Sequence, residues 1–276
     1  MKISSFKKII YAIMAITIGI VNYGCSKDRG TRIVVKGSTT VLPITQKTAE
    51  EYRMIHRVSI SIEGSGSGNG IRALIDGACD IANSSREIKG EEIKKAKEKG
   101  INIREIAVAF DMIIPIVHPT NQIKDITMNQ LKAIYGQTIT NWKELGGKNQ
   151  KIVVISRDTS SGTYEVWHNK VMNKTDVGKG VLLQASNGAI ITAVAVNPKA
   201  IGYIGYGYLN NTVKALTVNK IKGIIKNGKS GKFPIARRLY MYVNKDKLTK
   251  EAESYINFIL SKKGQNFVKK TGFIPL

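Results

Sequence analysis

The chain has 276 residues, 42% hydrophobic and 23% charged, with 26 glycines and 6 prolines. That is a globular composition, with room for one large domain or two modest ones, a proper core and many turns. Its formal net charge of +23 favours anionic partners: nucleic acid, a membrane surface or small anions. The lysines are scattered, however, as in Ile93-Lys94-Lys95-Ala96-Lys97, and such runs solvate helix faces. No interleaved arginine and aromatic platform of the kind that grips single strands is present, so nucleic acid is set aside.

The first 25 residues are a targeting segment. Lys2, Lys7 and Lys8 form a positive start, Ile9 to Val21 an apolar run, and Gly24 places a small residue before Cys25. This resembles a bacterial lipoprotein signal over residues 1–24. The likeness implies lipidation of Cys25, a tether over 25–31, and a periplasmic body anchored to the membrane by lipid. An uncleaved anchor is the alternative reading, although the apolar run is shorter than a full span. With Cys25 modified, Cys79 is left alone, so no internal disulfide or cysteine-based metal site is expected. Cys79 itself reads as a small core residue.

Beyond the tether, Arg32-Ile33-Val34-Val35-Lys36 reads as a strand, Gly37-Ser38-Thr39-Thr40 as a loop, and Val41 to Met54 as a helix. Pro43 falls in its first turn, where proline is tolerated. Val58 to Ile62 alternates as a second strand, followed by a glycine-serine loop, Gly64 to Gly70, and a helix through Ile71, Leu74 and Ile75. Asp80-Ile81-Ala82 is a third strand, with Asn83-Ser84-Ser85-Arg86 and a charged helix after it. Glu105 to His118 is a long apolar stretch interrupted by Asp111 and Pro115, a strand that crosses into a second domain. There, Ile152 to Ile155 leads into Arg157-Asp158-Thr159-Ser160-Ser161-Gly162-Thr163 and a helix start. Leu239 to Val243 is a returning strand, and Glu251 to Lys262 a final helix. Strands and helices alternate throughout, which argues an α/β fold with mainly parallel sheets.

Three loops share one design of strand, small hydroxyl or glycine residues, then helix: Gly37–Thr40, Gly64–Gly70 and Arg157–Thr163. In a parallel sheet such loops gather beyond the carboxyl ends of the strands, where ligands bind. Free N–H groups of each first helical turn and the positive end of each helix dipole suit a small oxyanion. Arg157 adds a guanidinium able to fork onto two oxygens. The loop at Asn83–Arg86 offers further hydroxyls and a second guanidinium. Any one of these loops alone is an ordinary turn; it is their number that points to an anion.

Two other motifs carry nothing. Gly223 to Ser230 matches P-loop spacing, but its glycine-lysine-serine closes a helix-like run instead of opening a helix. Ser67 lacks nucleophile-elbow spacing, and His56, His118 and His168 have no recognisable base context or metal cluster around them.

The ordered blocks Gly37 to Ile44, Gly64 to Ile71, Asp80 to Arg86, Arg157 to Thr163, Ser186 to Ile190 and Ala200 to Tyr203 resemble the substrate-binding proteins of the phosphate-specific ABC importer. The resemblance implies a two-lobed periplasmic binding protein type II fold, with mixed sheets and two crossover strands forming a hinge. Lobe 1 would hold residues 32–110 and 221–276, and lobe 2 residues 111–220. It implies a monomeric receptor, not an enzyme, without cofactor or metal, that binds inorganic phosphate and hands it to permease subunits in the inner membrane. The phosphate ligands would be Ser38, Thr39, Thr40, Ser67, Ser85, Arg86, Arg157, Ser161, Gly162 and Thr163.

The chain departs from that pattern at one place. Well-known members carry an aspartate where Ser85 stands, and use it to accept the proton of hydrogen phosphate. A carboxylate there rejects fully ionised sulfate. Asp111, which interrupts an apolar run, or a lone pair of Ser85 is expected to take that role; binding of Asp111 to backbone N–H groups is the competing reading. The alternatives for the whole protein are a receptor for sulfate or another oxyanion, or a basic surface lipoprotein acting as an adhesin.

Overall fold

The computed structural model describes residues 32–276; the signal segment, Cys25 and the tether lie outside the described residues. The chain begins with β1 (Arg32–Gly37), whose alternation buries Ile33 and Val35. Helix α1 (Leu42–Arg53) follows, with its proline in the first turn, and then β2 (Ser59–Gly64). Helix α2 (Ser67–Ile75), β3 (Ile81–Ser84) and α3 (Gly90–Glu98) complete the first run. Strand β4 (Ile103–Val117) is 15 residues long. After it come β5 (Asp125–Ile126), α4 (Met128–Tyr135), β6 (Val153–Arg157), α5 (Gly162–Lys170), β7 (Leu182–Gln184), α6 (Asn187–Ala195) and β8 (Ala200–Gly205). The last elements are β9 (Lys214–Ala215), β10 (Thr217–Val218), α7 (Ile225–Lys229), β11 (Ala236–Asn244), α8 (Lys250–Leu260) and α9 (Lys262–Lys270).

Strand order is β2-β1-β3-β11-β4-β8-β6-β7, with β9 also on β4 and a separate β10-β5 pair. The pairs β1–β2, β1–β3, β6–β7 and β6–β8 are parallel, as alternation with helices requires. Strands β4 and β11 run antiparallel to their neighbours, which makes the sheet mixed. These two strands cross between two hydrophobic cores. Ile106, Val108 and Ala109 of β4 pack with Ile33, Val35 and Ile44, whereas Met112 to Val117 pack with Trp142, Trp167 and Ile201. On the return, Phe233 and Ile235 still belong to the second core, and Leu239 and Met241 to the first. The return crossing therefore falls at Ala236–Arg237, later than the expected boundary at 220/221. Apolar residues on either side of it look alike in sequence. Each fully buried isoleucine or valine in these cores stabilises the fold by about 1.5–3 kcal/mol.

The expected final helix is two. Ser261 adopts extended backbone, and its hydroxyl accepts from Gly264 N (3.1 Å), capping α9 as a new helix. The glycine-lysine-serine at 228–230 ends the five-residue α7, and Gly231 follows with φ +69°.

Candidate anion site between the lobes

The carboxyl ends of β1, β2, β3 and β6 deliver their loops to one place. Gly37 (φ +129°) turns under the Asn83 carbonyl, and any Cβ there would collide with it. Ser38 Oγ then accepts from Thr40 N (3.1 Å) and Val41 N (3.4 Å), holding the turn that leads into α1. Ser161 caps α5, accepting from Thr163 N (3.2 Å) and Tyr164 N (3.3 Å). Ser161 is a helix cap, whereas Ser38 holds the turn that precedes α1, so several N–H groups at these helix starts are already engaged by a serine hydroxyl.

Residues far apart in the chain meet at these loops. Thr40 Oγ1 lies 2.9 Å from Thr163 Oγ1, and Asn187 Nδ2 donates to Thr40 Oγ1 (3.1 Å). Ser67 Oγ and Ser85 Oγ are 3.3 Å apart, and Ser85 N donates to Ser67 Oγ (3.1 Å). Gly162 packs so tightly on this pair that a Cβ would stand 2.8 Å from Ser85 Oγ. Gly68 N donates to the Ser160 carbonyl (3.0 Å), a direct contact between the lobes. All of these hydroxyls are buried.

Arg157, at the end of β6, is 1% exposed. Its Nε donates to the Gln184 carbonyl (3.0 Å) and its Nη2 to the Ala185 carbonyl (2.8 Å), which fixes the guanidinium plane. Its backbone N–H donates to Tyr203 OH (3.2 Å). Burial pulls the guanidinium below its ordinary value, a shift that Asp158, 3.8 Å away, partly opposes. Among the buried atoms of these loops, the acceptor Asn83 Oδ1 has no hydrogen-bond partner, and neither do two donors, Arg157 Nη1 and Thr39 Oγ1. An unmet buried polar group costs roughly 1–3 kcal/mol, more when charged, and an anion's oxygens would satisfy both donors.

Two expected residues are differently engaged. The Arg86 guanidinium forms a bidentate pair with Glu92 (both contacts 2.7 Å) and lies beside Gly68 at the Ser160 contact. Asp111 is fully buried and accepts through Oδ2 from Arg237 Nε (2.9 Å) and Nη2 (2.7 Å), and through Oδ1 from Tyr206 N (2.9 Å). Burial pushes the Asp111 carboxyl up and the Arg237 guanidinium down, and their ion pair opposes both shifts. Arg237 Nη1 then donates to the Ser85 carbonyl (3.0 Å). Sequence reasoning missed Arg237 and Asn187. A basic residue entering one crossover strand opposite an acid interrupting the other was the signal for Arg237. Asn187, whose Oδ1 accepts from Gly205 N (3.1 Å), gave only the signature of a helix start.

Among the described residues no group of three histidine, cysteine or acidic side chains is placed to hold a metal ion. No helix there is long and apolar enough to cross a membrane. Hydrogen-bond donors around a fixed guanidinium are what a small oxyanion requires.

The PBP superfamily domain matches residues 26–263. Phosphate-binding protein PstS of Borreliella burgdorferi is 32% identical over 98% of this chain and 99% of its own length. A solved ABC transporter substrate-binding protein from Clostridium perfringens, with bound phosphate, is 34% identical with a TM-score of 0.84, over 89% of this chain and 100% of that one. An ABC-type phosphate transport receptor from Vibrio cholerae is 30% identical with a TM-score of 0.74, over 88% and 100%. The chain belongs to the PBP superfamily and, within it, to the family of the phosphate-binding proteins.

Proposed function

We propose that this protein is an extracytoplasmic receptor that binds inorganic phosphate between its two lobes and delivers it to an ABC permease for import. The observation that carries the reading is the buried, unpartnered Nη1 of a guanidinium fixed on its other side by two carbonyls. With Thr39, Thr40, Ser67, Thr163 and the first turns of α1, α2 and α5, it makes a donor-rich cage. The lobes, divided at the crossover strands, close over the ion as a hinge. Lipidation of Cys25 would hold the monomer at the membrane, and the protein turns nothing over. Asp111 has its oxygens engaged by Arg237 and Tyr206. The acceptor for the proton of hydrogen phosphate is therefore better sought at the Ser67–Ser85 hydroxyl pair.

Hydroxyls both donate and accept. That favours a second reading, a receptor tolerant of sulfate as well. Thermal melting of ligand-stripped protein tests the proposal. Phosphate at one hundred times its dissociation constant stabilises by about 2.7 kcal/mol, or about 5–10 °C for a chain of this size. No shift with phosphate at millimolar concentration would refute the function; an equal shift with sulfate would favour the broader receptor.

A further inference from the structure

A groove of about 590 Å³ lies beside the crossover strands, apart from the loops that gather at Arg157. Both lobes line it: Ile88 and Lys89 after β3, Val166 and Lys170 on α5, and Phe110 and Arg238 on the crossover strands. Its volume is that of a small-molecule pocket. Cations exceed carboxylates on its walls. Arg86 and Arg237 are neutralised by Glu92 and Asp111, and Lys89 pairs with Glu165 across the lobes (3.0 Å). Lys170 Nζ donates to the Ala236 carbonyl (2.8 Å), and Arg238 lies 5.4 Å over the Phe110 ring. Neither has a carboxylate partner among the described residues. The rest of the lining is mixed: Glu87, Asn169 and Lys229 are polar or charged, and Tyr240 donates to Glu87 (3.3 Å), while Gly228, Gly231 and Ala236 are small.

We propose that this groove is a second ligand site, for an organic phosphate of nucleotide size. Its anionic head is held by Lys170 and Arg238, and its ring lies against Phe110, Ile88 and Val166. Such a ligand meets both lobes at once in the arrangement where Lys89 reaches Glu165, so it favours the closed protein. By linkage it tightens phosphate binding at the Arg157 site by the same factor that phosphate tightens it.

The test is calorimetry of adenosine 5′-monophosphate against the whole mature protein, with and without saturating inorganic phosphate. A failure of the main site then shows in the inorganic-phosphate titration alone. The expected result is one equivalent of nucleotide bound without displacing phosphate. Binding should weaken about tenfold or more in Lys170→Ala/Arg238→Ala, from the loss of charge-assisted contacts, and inorganic-phosphate affinity should stay within about twofold. Adenosine should bind correspondingly weakly. The proposal is overturned if no nucleotide binds at millimolar concentration, if the double variant binds it equally well, or if it competes with inorganic phosphate.

Discussion

Asp111 and Arg237 are register partners on the two antiparallel crossover strands, joined by a buried ion pair in which Nε and Nη2 both donate to Oδ2, where the chain passes between its cores. The pair reaches the anion loops on both sides. Arg237 donates to the Ser85 carbonyl, and Asp111 accepts from Tyr206 N, next to Gly205, whose N–H donates to Asn187. Asn187 in turn holds the Thr40 hydroxyl. Hinge and site are thus one hydrogen-bonded network.

Asp111→Asn leaves a buried guanidinium without its counter-charge, a loss of about 3–5 kcal/mol. Arg237→Gln alone should cost a similar amount, and the double variant clearly less than the sum of the two. Urea unfolding midpoints of the four proteins measure this directly.

Gly162 is required for space. In Gly162→Ala the new methyl meets Ser67 and Ser85, which lie across the lobe contact. Phosphate affinity should fall by about five- to 150-fold, since overpacking costs roughly 1–3 kcal/mol. The melting temperature of ligand-free protein should change little if the lobes open to relieve the clash. Calorimetry with melting separates the two effects.

Glu92 should leave a mark on acid stability. Burial raises its pKa, but Arg86 and the Lys89 N–H outweigh that and hold the carboxyl below its ordinary value of 4.5. Its contribution to stability is therefore complete above the unfolded value and is lost as pH falls through the depressed folded one. Glu92→Gln should be less stable than wild type at pH 7, with the gap narrowing below pH about 4.5. Urea midpoints across that range would show it.

The three strand–loop–helix turns were legible in the sequence because a helix start is a local signal. Gly37 to Thr40, Gly64 to Gly70 and Arg157 to Thr163 each announce a turn, a cap and free N–H groups within a few residues. Partnerships set by the fold were not. Arg86 read as a second site cation, and the Glu92 that α3 brings onto its guanidinium was not foreseen. The Arg237 partnership joins residues 126 positions apart. The later return crossing was hidden for a similar reason, since only packing assigns Phe233 and Ile235 to the second core.

The central claim is that Arg157 presents one free donor edge to a tetrahedral anion. Replacing it by alanine removes a buried charge-assisted contact, worth about 2–5 kcal/mol of binding or more. Calorimetry of ligand-stripped wild type and Arg157→Ala against inorganic phosphate, with sulfate in parallel, tests this most directly. The account predicts one phosphate per wild-type chain and a loss of at least about thirtyfold in the variant. Unchanged phosphate affinity in a folded Arg157→Ala protein would contradict it.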